Sequence, residues 1–149
     1  MTTREQVAAK ARSLLGTPFA HQGKTPGVAL DCIGSVAVVA LEFEDLAPAA
    51  RAWLADPEFR GYTPQPNVRK LLKATHKYMD PISKAAAGLA DVLLFKFFDE
   101  PMHFGIISAV KPRRLVVHAY SMVGRVVENG IDDTWRARIV EAYRFKGLA

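Results

Sequence analysis

The sequence has one cysteine, Cys32, in 149 residues. A single thiol excludes an internal disulfide framework and any zinc site built on several cysteines. It leaves a choice between a buried structural thiol and a reactive one, and composition alone favours the first. Long apolar runs are also missing: the longest, around Ile33 to Leu41, is too short to cross a bilayer. The start, Met1-Thr2-Thr3-Arg4-Glu5, lacks the basic opening and apolar segment of a secretory signal. A target outside the cell would then call for delivery by something other than a leader on this chain. No Lys/Arg run with interleaved aromatics occurs, so the net charge of +5 gives no support to nucleic acid as a partner. The late basic excess, from Lys111 to Lys146, reads as a solvated face, and its sign would also suit an acidic polymer.

What is present is half apolar and just under a quarter charged, the balance of a globular chain. No repeat, low-complexity tract or linker divides it, so residues 1–149 read as one domain. A first helix is expected over 3–15, with Thr3 and Gln6 at capping-box spacing and Val7, Ala11, Leu14 and Leu15 on one face. Residues 16–30, rich in glycine and proline, read as an ordered loop. A second, nearly all-apolar helix starts abruptly at Asp31, its N-cap, and runs through Phe43. Residues 45–66 read as irregular, with Trp53 and Phe59 packing them down, and Asn67 caps a third helix to Tyr78. Strands are expected at 92–97, 103–109, 115–120, 125–128 and 137–145. Helices followed by an antiparallel sheet make an α+β domain.

Cys32 falls in the first turn of the second helix, where unpaired N–H groups and the helix dipole favour a thiolate. The glycine-rich loop before it can bring backbone close to a substrate. His103 and His118 fall on strands, and their parity puts them on one face. A hairpin turning at Val110-Lys111 would oppose them directly; Pro112 at the second turn position would offset them. If the cysteine helix lies over that face, Cys32 becomes a nucleophile, His103 its base and later acid, and His118 the group that fixes the His103 ring. The Cys32 N–H would then be an oxyanion donor. The competing reading, a structural thiol and two unrelated strand histidines, stays open on spacing alone.

Longer motifs extend the pattern. Leu15-Gly16-Thr17-Pro18-Phe19, then Gly27 and Leu30-Asp31-Cys32-Ile33-Gly34-Ser35-Val36, resemble the opening of NlpC-type cell-wall cysteine peptidases. Ala90-Asp91-Val92-Leu93-Leu94-Phe95, Met102-His103-Phe104-Gly105-Ile106 and Val117-His118-Ala119-Tyr120-Ser121 resemble that family's later strands. Residues 17–23, His118-Ala119-Tyr120 and Tyr143-Arg144-Phe145 are similar to its short branch in tailed phages and gene transfer agents. The resemblance implies a papain-like fold and hydrolysis of peptidoglycan stem peptides by Cys32, His103 and His118, without cofactor or metal. It also implies other tail or virion proteins as partners, and a place on the virion tail after synthesis in the bacterial cytoplasm.

Two positions depart from the family pattern. Phe19 stands where a tyrosine is usual, which removes a hydroxyl from the oxyanion or substrate region and would weaken catalysis by roughly 10²-fold. Ser35 replaces a leucine. His21 is a candidate lining residue of the cleft, and Asp31 an N-cap beside the nucleophile. His76 reads as a charge at a helix C-terminus, Asp91 as a turn residue, and Trp53 and Trp135 as packing rather than sugar platforms. A zinc site from Cys32, His21, His103 and His118 matches no common ligand spacing. The alternatives to an active peptidase are a structural tail component with a decayed site, or a related thiol amidase or acyltransferase.

Overall fold

The computed structural model describes residues 1–57, 60–63, 67–97 and 102–149; Phe59, Pro64 and Pro66 lie outside them. Helix α1 (Arg4–Ser13) starts where the sequence says, with Thr3 and Gln6 closing a capping box, and buries Val7, Ala8 and Ala11. It ends two residues early, so Leu14 is buried but Leu15 is exposed. The loop that follows contains a small hairpin, β1 (Lys24–Thr25) and β2 (Ala29–Leu30), where only irregular chain was expected. Helix α2 (Cys32–Leu41) is capped by Asp31 and buries all but its last residue. An apolar helix without a polar face can only sit inside.

Residues 45–66 are not irregular throughout: α3 (Ala47–Ala55) lies within them. Pro48 occupies its first turn, where a fixed φ and a missing N–H cost nothing, and Ala47, Ala50 and Trp53 form its buried face. Asn67 caps α4 (Val68–Tyr78), and the chain continues into β3 (Met79–Ile82), a strand not among those expected from the sequence. Proline is tolerated there because β3 is the edge of the sheet.

Six strands make that sheet in the order β3-β8-β4-β5-β6-β7. Strands β4 (Val92–Phe95), β5 (His103–Ala109), β6 (Leu115–Tyr120), β7 (Arg125–Gly130) and β8 (Ile139–Phe145) are joined to their neighbours by antiparallel pairing, as is β3. β4 stops at Phe95, short of the expected 97, and β7 runs on past 128. β8 starts later than residue 137 because Ala137 closes a short helix, α5 (Asp133–Ala137), whose N-cap is Asp132.

The two faces of the sheet carry separate cores. On one, Val92, Leu94, Phe104, Ile106, Val117 and Ala119 join side chains of α1 to α4, including Cys32. On the other, Leu93, Phe95, Phe97, Ile107 and Val116 join Ile131 and Ile139, with Trp135 of α5 packed on them. Each fully buried Leu, Ile or Phe is worth about 1.5–3 kcal/mol, so alternation along β4 to β6 stabilises both layers at once. Between β5 and β6, Ile106 pairs with Val117 and Ile107 with Val116; the register then shifts before Ala109 and Leu115. This is neither of the two expected registers, because that irregularity takes up part of the hairpin offset.

Candidate active site

The head of α2 is pinned from several sides. Asp31 Oδ1 accepts the Gly34 N–H at 2.6 Å, while Oδ2 accepts the Gln22 N–H at 2.7 Å and the Tyr62 hydroxyl at 2.6 Å. The first turn also backs against the preceding loop so closely that a Cβ on Gly34 would lie 1.9 Å from the Gly23 carbonyl oxygen. Cys32, the first residue of the helix, is 7% exposed, and its carbonyl accepts the Ser35 hydroxyl at 2.9 Å. Burial, the Asp31 charge and bond, and the charge of Cys32 together hold the Tyr62 phenol far above its ordinary pKa. Tyr62 therefore stays a hydrogen-bond donor beside the thiol.

β5 and β6 bring His103 and His118 together. Both are fully buried, and His103 Nε2 lies 2.8 Å from His118 Nδ1, with the rings at 89° to one another. His118 Nε2 in turn lies 2.7 Å from Asn129 Oδ1 on β7. Phe97 and Tyr120 pack on the His103 ring, and Tyr120 and Trp135 on that of His118. Burial pushes His118 down, the neighbouring His103 charge pushes it further, and the Asn129 bond opposes both; the result is a pKa of about 4.

α2 packs on β5 and β6, as the spacing argument required, but not over the histidine face. The side chains that join its core are Phe104, Ile106, Val117 and Ala119, which alternate with the histidines. Apolar neighbours took the helix side, and the imidazoles went with the aromatic layer on the other.

The remaining sequence candidates separate clearly. Phe19 is half-buried against the helix-side core, paired with Leu30, and its N–H donates to the Gly124 carbonyl. His21 is exposed, edge-on to the Tyr62 ring at 5.5 Å. His76 is far along α4 and bonds Glu141 at 2.7 Å. Trp53 is packed edge-on to Phe104 in the core. Asp91 does more than hold a turn: besides accepting the Gly88 N–H, it takes a two-pronged bond from Arg144 and a third arginine contact from Arg4. Among the described residues, no group of three or more His, Cys, Asp or Glu side chains is placed to hold a metal ion, and no helix is long and apolar enough to cross a membrane.

No family model matches the sequence, and no curated protein matches it in sequence. Solved structures do match. The NlpC/p60 domain of the peptidoglycan hydrolase SagA superposes with a TM-score of 0.61 at 20% identity, over 95% of this chain and 98% of that one. A Staphylococcus aureus protein of the NLP/P60 family, described as similar to a lipoprotein, gives 0.59 at 18% identity, over 95% of this chain and 41% of that one. NlpC2 from Trichomonas vaginalis gives 0.61 at 13%, over 97% and 47%. The chain has the NlpC/p60 fold. It spans less than half the length of the latter two proteins.

Within this NlpC/p60 architecture, two residues escaped sequence reasoning. Tyr62 sits in a stretch with no periodicity to place it. Asn129 lies one residue beyond the expected end of β7, although the parity of the β6–β7 hairpin, with His118 opposite Val127 and Val116 opposite Asn129, puts it on the histidine face.

Proposed function

We propose that the protein is a cysteine hydrolase that cleaves amide bonds in the stem peptides of bacterial peptidoglycan. The observation that carries this reading is the buried His103–His118 pair, on strands that pack against the Cys32 helix, in the fold of a peptidoglycan hydrolase domain. A histidine pair sealed in an aromatic layer has no packing advantage over apolar residues, and its desolvation is a cost.

The roles follow from which atoms are engaged. His103 Nε2 faces His118, so we assign the proton exchange with the thiol to Nδ1. Cys32 begins α2 and His103 begins β5, so the proposed encounter is end to end. Cys32 Sγ gives its proton to His103 and attacks the amide carbonyl carbon, forming the C–S bond. His103 returns that proton to the leaving amine as the C–N bond breaks. A water, deprotonated by His103, then cleaves the thioester to a carboxylate and restores the thiol. Tyr62, whose hydroxyl proton is committed to Asp31, braces the helix cap beside Cys32 and does not replace the donor that Phe19 lacks.

The proposed setting is a phage-like tail, supported by the resemblance of residues 17–23, 118–120 and 143–145 to that branch; immunodetection on purified virions tests it. One observation, the apolar Phe19, favours the second reading of a tail component with a decayed site. The deciding experiment is digestion of purified peptidoglycan by wild type and Cys32→Ala, with mass analysis of the fragments. Release of new amino groups by the wild type alone is expected. Equal release by a folded Cys32→Ala, or none by either, overturns the proposed activity.

A further inference from the structure

We propose that Asn129 is a positioning residue that, through its carbonyl oxygen, sets the tautomer of His118 and thereby leaves the basic lone pair of His103 on Nδ1. The inference rests on the catalytic reading of His103 and deepens it.

Donors and acceptors along the chain of bonds fix the polarity. An amide oxygen can only accept, so His118 Nε2, 2.7 Å away, carries the proton. A neutral imidazole has one N–H, so His118 Nδ1 is an acceptor and takes the proton of His103 Nε2 across 2.8 Å. Neutral His103 then bears its lone pair on Nδ1. With the opposite polarity at Asn129, every bond reverses and the His103 proton sits on Nδ1, where the ring is useless as a base. One side chain on the edge strand therefore decides the state of a ring it does not touch.

A neutral acceptor matters as much as the polarity. A carboxylate in its place would stabilise the imidazolium of His118, and His118⁺ would present Nδ1–H to His103. Among the described residues, the titratable groups facing His118 are His103 of β5 and Tyr120 of its own strand; Trp135 of α5 bears no charge. The depressed His118 pKa is consistent with a ring kept neutral in that setting. Asn129 is exposed on the edge strand, so its replacement opens no core.

The test uses the whole chain with Asn129→Leu and Asn129→Asp. Imidazole ¹⁵N NMR of the wild type should find His118 and His103 both protonated on Nε2 at neutral pH. Asn129→Leu should mix the tautomers and lower kcat about tenfold with KM little changed. Asn129→Asp should keep the tautomers and rescue kcat at high pH, while moving the acid limb of Cys32 alkylation by iodoacetamide upward by about one pH unit. NMR and alkylation need no wall substrate. A wild type that shows the expected tautomers but leaves peptidoglycan intact supports the relay and sinks the proposed substrate. A wild-type His118 protonated on Nδ1, or an Asn129→Leu variant with unchanged tautomers and alkylation profile, overturns the relay.

Discussion

His103 lies diagonal to His118, not across from it. With Ile106 paired to Val117, the residue opposite His103 in register would be Tyr120, and His118 falls opposite Gly105. The absence of a side chain on Gly105 makes the diagonal bond achievable: a Cβ there would sit 2.5 Å from Val116 Cγ2 and 3.3 Å from His118 Cβ. The two rings meet edge to face over the space that glycine leaves.

Gly105→Ala should accordingly destabilise the fold by about 1–3 kcal/mol, the usual cost of overpacking. It should also displace His118 from His103. Urea denaturation measures the first effect, and imidazole NMR of the His103–His118 bond the second. An unchanged midpoint with an intact bond would contradict the close packing at this position.

The buried ring of His118 makes stability depend on pH. Unfolded, it takes up a proton near its ordinary value of 6.5; folded, it resists until about 4. Between those values the unfolded chain binds more protons, so stability falls as pH falls. The contribution is complete above about pH 6.5 and smaller by roughly 3 kcal/mol once both states are protonated. Glu128 and Glu141 are pushed up by burial but held below their ordinary values by stronger combined bonds, to Ser108 and Arg12 and to Tyr143 and His76. Their contributions are lost only at lower pH, below about their ordinary 4.5. Urea midpoints should therefore decline from pH 6.5 downward in the wild type, and His118→Asn should flatten that upper part of the curve.

Much of this was legible in the sequence because it rests on local chemistry. Asp31 caps α2 through the Gly34 N–H, Thr3 and Gln6 box α1, and strand parity alone places His103 and His118 on one face. What the sequence did not show depends on partners distant in the chain. Proline disfavours the interiors of helices and strands, yet the first turn of a helix accepts Pro48 and the edge of a sheet accepts Pro81. The side of the sheet that α2 covers is set by competition between Phe104 and His103, and periodicity cannot rank such neighbours. Tyr62 reaches Asp31 across a separation of 31 residues.

Asp91 illustrates a second long-range dependence. Its side chain is fully buried, with Arg144 Nε and an Nη each 2.9 Å from its two oxygens and Arg4 at 3.2 Å. Arg4 also bonds the carbonyls of Leu89 and Ala149, so the carboxylate ties α1, β8 and the chain end together. Asp91→Ala should cost about 3 kcal/mol, because it strands two half-buried guanidinium groups. Arg144→Lys, which keeps the charge but loses the fork, should cost less. Thermal or urea unfolding checks the order; an Asp91→Ala variant no weaker than Arg144→Lys would refute it.

The seam between the loop and the head of α2 is tight enough to be probed by a single methyl group. A methyl on Gly34 would meet the Gly23 carbonyl oxygen at 1.9 Å, and that oxygen also accepts the Asp31 N–H at 3.3 Å. The loop cannot give way freely, since a Cβ on Gly23 would itself be 2.6 Å from the Ala29 backbone. Gly34→Ala must therefore move backbone, at a cost of about 2 kcal/mol or more, although alanine is the better helix former by roughly 1 kcal/mol. The loop should also part from the helix head, exposing the Gln22 N–H that Asp31 holds at 2.7 Å. Ser35→Ala, one residue on, removes a single hydroxyl bond and should cost only about 1 kcal/mol. Hydrogen exchange at Gln22 should quicken in Gly34→Ala and stay slow in Ser35→Ala. Slow exchange in both would mean that helix propensity, not the close approach of Gly23, governs this position.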